Sequence, residues 1–191
     1  DNAIKVIAQG SGSVYALGNL NNELSNSDVV VVKYDAGGNV QWQNLLDDFG
    51  GFDYAHDMGK DSIYNIYVLG EKAYGVNVSK IDSIGSILWT THSDKRYRKC
   101  ITQNDGTTFL AASGEAYNTN YKIFQVGKIN GAGTFSFEST ATQETDYALT
   151  VGSMNVDNNN DVIVAGERRY KQNQTGARIA MVVDKFSNSG S

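Results

Sequence analysis

The segment Lys33-Tyr34-Asp35-Ala36-Gly37-Gly38 constrains this chain more than any other, because it comes back three times. It returns as Lys80-Ile81-Asp82-Ser83-Ile84-Gly85, as Lys128-Ile129-Asn130-Gly131-Ala132-Gly133, and as Lys185-Phe186-Ser187-Asn188-Ser189-Gly190. A spacing of roughly 50 residues with strand-like content marks a stacked or radial repeat protein, whose units bury their apolar faces against one another. Each hexamer reads as a hairpin turn. Asp, Asn or Ser bonds its own backbone there, and Gly supplies a positive φ.

Other landmarks keep the same period. An apolar run ended by glycine appears as Val14 to Gly18, Ile66 to Gly70, Leu110 to Gly114 and Ile163 to Gly166. Such runs read as buried strands. A second run leads into each repeated lysine: Lys33, Lys80, Lys128 and Lys185. After the turn an aromatic stands four residues beyond the last glycine in three units, as Trp42, Trp89 and Phe137. Alternation along a strand puts Val40 with Trp42, Ile87 with Trp89 and Phe135 with Phe137 on shared faces. A further strand precedes each glycine-ended run, and Asp53-Tyr54-Ala55 recurring as Asp146-Tyr147-Ala148 fixes its register. Each unit thus has four strands, and the last unit lacks its fourth. Fifteen strands and no helix are expected. The units cover residues 3–48, 53–93, 97–141 and 146–191 of a single object.

This meander is the pattern of an all-β propeller with four-stranded antiparallel blades. With unit 4 short of a strand, the expected object is an arc of a larger ring of roughly six to eight blades. The alternative is a closed four-bladed ring. The edge left by unit 4 invites pairing with the remainder of a longer chain or with another subunit.

Composition narrows the function. A formal charge of −5 speaks against a general nucleic-acid binder. With 40% hydrophobic residues the chain is not disordered. One cysteine, Cys100, permits no intrachain disulfide. No apolar run approaches the ~20 residues that span a bilayer. The chain does not begin with Met, so it has been processed or belongs to something longer. Two sequons, at Asn77 and Asn173, matter only in a eukaryotic secretory setting.

The run Val-Val-Lys-Tyr-Asp-Ala-Gly-Gly-Asn-Val-Gln-Trp-Gln, followed by Asp-Tyr-Ala and Asn-Ile-Tyr-Val-Leu-Gly, resembles the SBBP-type β-propeller repeat. The resemblance covers all four units and is sharp in the first two. It implies a multi-bladed propeller within an exported or cell-surface protein, with no single shared activity and no catalytic residues to transfer.

His56 adjoins Asp57 on a first strand, with side chains on opposite faces. His92 follows the Trp89 strand. Neither has a Ser or Cys at a recognisable spacing, so no catalytic residue is assigned and the chain is expected not to be an enzyme. Cys100 reads as a small buried hydrophobe. Asp157-Asn158-Asn159-Asn160-Asp161 is rich in oxygen ligands but lacks the glycine and distal glutamate of a calcium loop; it reads as a turn, and no metal or cofactor is expected. Lys95-Arg96-Tyr97-Arg98-Lys99 joins units 2 and 3, and Arg168-Arg169-Tyr170-Lys171 opens the loop after the second strand of unit 4. In a propeller the unit-to-unit loops and these second-to-third-strand loops share one face, and variable loops on a rigid scaffold are where binding concentrates. The candidate binding residues are therefore Arg96, Tyr97, Arg98, Tyr117, Arg168, Arg169 and Tyr170. The leading expectation is a recognition or display module that binds a protein or a glycan, without nucleic acid or membrane insertion. The alternatives are a propeller lyase or glycosidase with its site in the central funnel, where Asp53, His56 and Asp57 are the available groups, or a structural spacer.

Overall fold

The computed structural model describes residues 1–21, 27–46, 53–72, 75–115, 122–143, 147–170 and 179–187. Fifteen strands account for nearly all of them, in four antiparallel sheets that follow chain order. Sheet 1 holds β1 (Asn2–Ala8), β2 (Val14–Asn21), β3 (Ser27–Tyr34) and β4 (Val40–Leu46). Sheet 2 holds β5 (Tyr54–Lys60), β6 (Ile66–Lys72), β7 (Gly75–Ile81) and β8 (Ile87–Ser93). Sheet 3 holds β9 (Lys99–Thr102), β10 (Thr108–Glu115), β11 (Lys122–Ile129) and β12 (Phe135–Gln143). Sheet 4 holds β13 (Tyr147–Val156), β14 (Val162–Tyr170) and β15 (Ile179–Phe186). Among the described residues no helix occurs.

The turns form as their residues dictate. In the hexamers the N–H of Asp35, Asp82 and Asn130 bonds the carbonyl four residues on, and the N–H of Gly38, Gly85 and Gly133 bonds back to those same residues. These three glycines carry φ between 83° and 97°. The Asp35, Asp82 and Asn130 side chains each accept two turn N–H groups through one oxygen.

Burial separates end sheets from interior sheets. β3 alternates strictly between buried and half-buried residues, with Val29, Val31 and Lys33 turned toward sheet 2. In β6 and β7 most residues of both faces are buried, because sheet 2 lies between two neighbours. The described core forms three clusters, joining sheets 1 and 2, 2 and 3, and 3 and 4. None of these clusters joins sheet 4 to sheet 1. Ile4 and Val6 of β1 and Met181 and Val183 of β15 are exposed.

The repeated lysine and tryptophan stitch one sheet to the next. Lys33 Nζ and Trp42 Nε1 both donate to the carbonyl of Ser83, at 2.9 and 3.2 Å. Lys80 Nζ and Trp89 Nε1 both donate to Gly131, at 3.3 and 3.2 Å. Each lysine also lies over the aromatic ring opposite it, Tyr15, Tyr67 or Phe109. Lys185 departs from the pattern. Its side chain is half exposed and pairs within its own sheet with Asp157 and Asp161, at 2.7 and 3.0 Å.

Two expectations about these repeats fail. Trp42 pairs with Lys33 while Val40 pairs with Tyr34, so a bulge at Gln41 puts Val40 and Trp42 on opposite faces. The same shift occurs at Leu88 and Ser136. An extra residue inverts the parity of the strand beyond it. Gly114 is not the counterpart of Gly18, Gly70 and Gly166. Taking the residue paired with the repeated lysine as origin (Tyr15, Tyr67, Phe109, Ile163), the equivalent position in sheet 3 is Ala112. A Cβ at Gly18 would sit 2.5 Å from the carbonyl oxygen of Asn2, and at Gly166 it would strike that of Thr150. The β9 ladder begins at Lys99 opposite Ala111, so the strand crowding that demands glycine elsewhere is absent at Ala112. The side chain of Phe137 lies outside the described residues.

Candidate functional site

The first strands β1, β5, β9 and β13 form one edge of each sheet and lie side by side. Three carry a bulge opposite the repeated glycine, at Ile4, His56 and Gly152. A bulge re-aims one side chain out of the ladder's alternation. At that position sheet 3 carries Arg98, one residue before Lys99, which pairs with Ala111 as Asp57 pairs with Leu69. His56 and Arg98 thus occupy equivalent places in neighbouring sheets, and they touch.

Glu71 of β6 completes the cluster. His56 Nε2 lies 3.2 Å from Glu71 Oε2, and Arg98 Nη1 donates to the same oxygen at 2.6 Å. The imidazole and the carboxylate are mostly shielded, with 13% and 21% of their side-chain surface exposed. Burial and then the Arg98 charge push the His56 pKa down, against the pull of Glu71. The imidazole is therefore a neutral base near pH 7. Burial presses the Glu71 pKa upward, but the bonds and charges of Arg98 and His56 outweigh it and hold the carboxyl below its ordinary range. The sequence-based reading gave His56 no partner. Its partners lie 15 and 42 residues away.

Asp57 points the other way and does structural work. It accepts bonds from Lys5 Nζ of β1 at 2.6 Å, from its neighbour Met58 N at 2.9 Å and from Cys100 N of β9 at 3.0 Å. One buried carboxylate therefore ties three sheets together. Cys100 is buried as expected, and burial pushes its thiol pKa strongly upward. Asp53 is also buried, its N–H bonded to Ser27 O. His92 is exposed, with Nδ1 beside Asn77 Oδ1 at 3.0 Å. The Asp157 carboxylate is committed to its turn and to Lys185.

Of the predicted binding residues, Arg98 belongs to the cluster and Arg96 is exposed. Tyr97 is a correction: it is fully buried in the core between sheets 2 and 3. Tyr117 lies outside the described residues. Arg168, Arg169 and Tyr170 extend β14 rather than opening a loop; their side chains lie outside the described residues. Glu71 was missed. Its only sequence signal was its place directly after the repeated Gly70.

Beside Glu71 a cleft of ≈190 Å³ opens between sheets 1 and 2. Val29, Leu46 and Val68 supply apolar walls, and Asn77, Ser79 and Thr90 a polar floor.

No family model matches this chain, and no curated protein matches it. Among solved structures it is similar to a protein of unknown function from Bacteroides caccae, at 13% identity and a TM-score of 0.55. The likeness covers 94% of this chain and 60% of that one, so the chain spans less than two thirds of that relative. It is also similar to streptogramin B lyase, at 9% identity and a TM-score of 0.50, covering 94% of this chain and 68% of that one. The expectation that a chain of this build is not an enzyme does not stand, because a lyase is among the proteins that share the fold.

Proposed function

We propose that this chain is an arc of a β-propeller whose funnel mouth carries an acid–base site with lyase-type chemistry. The observation that carries the reading is the convergence of His56, Glu71 and Arg98 from two successive sheets, with the imidazole placed by a bulge and kept neutral by its surroundings. A neutral imidazole with a depressed pKa serves as a general base at neutral pH. Arg98 stabilises negative charge that develops on a carbonyl or carboxylate when the adjacent carbon loses its proton to His56; the electron pair left there forms the double bond as the ester carboxylate departs from the β-carbon. Glu71 holds both groups. The likeness to streptogramin B lyase lends weight to elimination over hydrolysis.

The arc rests on the three face-to-face interfaces, on the exposed faces of β1 and β15, and on the larger size of both similar structures. The resemblance to the SBBP-type repeat supports an exported or cell-surface setting. A protein or glycan presented at the same loop face is the substrate-bearing partner this setting favours.

The test is a panel of carboxylate-bearing esters and lactones incubated with the protein in deuterated buffer. Deuterium incorporation next to the carbonyl, followed by a new conjugated double bond, is the expected result. His56→Gln should lower the rate by about 10²–10⁴-fold. Absence of exchange and product across the panel, or a rate indifferent to His56→Gln, rules the reading out.

A further inference from the structure

The cleft between sheets 1 and 2 has a filled counterpart one interface along. Between sheets 2 and 3 the Tyr97 ring packs in the shared core and reaches Gly127 of β11. A Cβ on Gly127 would meet its hydroxyl at 2.6 Å and its ring at 2.9 Å. Pairing registers make Gly127 the equivalent of Ser79, Ala112 of Gly70, and Leu110 of Val68. Ser79, Gly70 and Val68 all line the cleft. Tyr97 stands two residues before Lys99, and the residue two before the equivalent Asp57 is Ala55. The chain therefore builds the same slot twice. It fills one with its own phenol and leaves the other unfilled by an alanine.

The slot's chemistry follows from that comparison. Its walls are Val29, Leu46 and Val68, and half-exposed Leu45 and Ile87 line it toward solvent. Where the Tyr97 hydroxyl would come to rest, Ser79 Oγ of β7 and Thr90 Oγ1 of the edge strand β8 lie 2.9 Å apart. Each hydroxyl keeps spare bonding capacity for a polar tip. Roughly 150 Å³ of apolar cavity suffices for a benzene-sized ring, and this cleft has ≈190 Å³.

We propose that the cleft is a binding site for a hydroxylated aromatic ring, which enters between Leu45 and Ile87 and bonds the Ser79–Thr90 hydroxyl pair. The ring replaces the side chain that Ala55 lacks. The site does not depend on His56 chemistry: its readout is binding, so loss of the lyase reading leaves it intact.

p-Cresol is the probe and toluene the control, titrated into the 191-residue chain with methyl resonances observed by NMR. Saturable p-cresol shifts centred on the methyls of Val29, Leu45 and Leu46 are expected, with toluene about tenfold weaker. Ala55→Tyr combined with Ser79→Gly copies the filled interface and should weaken p-cresol at least tenfold. Ser79→Leu fills the slot from its floor and should do the same, which keeps the test decisive if the double variant does not fold. Absence of saturable binding, shifts centred elsewhere, or unchanged affinity in a folded filled variant overturns the proposal.

Discussion

Replacing Trp89 by alanine tests how the sheets are joined. Its indole packs edge-on against Tyr67, with centroids 5.8 Å apart, and donates to the carbonyl of Gly131 in sheet 3. Removing a fully buried aromatic costs about 3–5 kcal/mol. Trp89 is only partly buried, which lowers the packing loss to about 2 kcal/mol, and the hydrogen bond adds about 1 kcal/mol. A total near 3 kcal/mol is expected. Gly133 offers an independent check, because it has a φ of +87° and a Cβ there would lie 2.8 Å from the Trp89 ring. Gly133→Ala alone should cost about 1–2 kcal/mol for the left-handed backbone, with a clash penalty against the indole on top. In the Trp89→Ala background the clash with the indole disappears and only the 3.0 Å approach to Thr91 Oγ1 remains, so the two changes should cost less together than separately by about 1 kcal/mol. Urea denaturation followed by far-ultraviolet circular dichroism reads all four proteins without relying on tryptophan fluorescence. A Trp89→Ala loss below about 0.5 kcal/mol, or additivity within about 0.3–0.5 kcal/mol, would refute the stitching role.

Three further outcomes are expected. Asp57→Ala should destabilise by about 3 kcal/mol in the same assay, since it strips a partner from the buried N–H of Cys100 and from Lys5; a loss under 1 kcal/mol would show that the carboxylate ties nothing together. The folded His56 pKa lies below the ordinary value near 6.5, so the unfolded chain binds the proton more readily. The stability tied to neutral His56 is thus fully present above about pH 6.5 and is lost as pH falls through the window below it. The melting temperature between pH 8 and pH 5 should fall less steeply in His56→Gln, and parallel curves would contradict this. Cys100 should resist a thiol-specific disulfide reagent in the native state and react fully once unfolded, because burial holds its thiol protonated; rapid native-state labelling would place it at the surface.

Local regularities were legible in the sequence because each depends on a few adjacent residues. The hexamer dictates its hairpin through one Asx side chain and one left-handed glycine, so Gly38, Gly85 and Gly133 adopt the predicted backbone. The period fixed four units, and the apolar runs fixed fifteen strands. What the sequence did not reveal depends on the parity of bulged strands and on which faces stack. One inserted residue sends Val40 away from Trp42, and another turns His56 out of its ladder. Arg98 meets His56 only because sheets 2 and 3 lie side by side, 42 residues apart in the chain. Tyr97 read as a binding residue beside arginines, yet stacking buried it, and the same stacking left a cleft over Ser79 at the interface where Ala55 takes the place of Tyr97. Turn geometry is paid for locally and is written in a few residues. Burial, side-chain partners and empty volume arise between sheets distant in sequence, so the tertiary structure alone decided them.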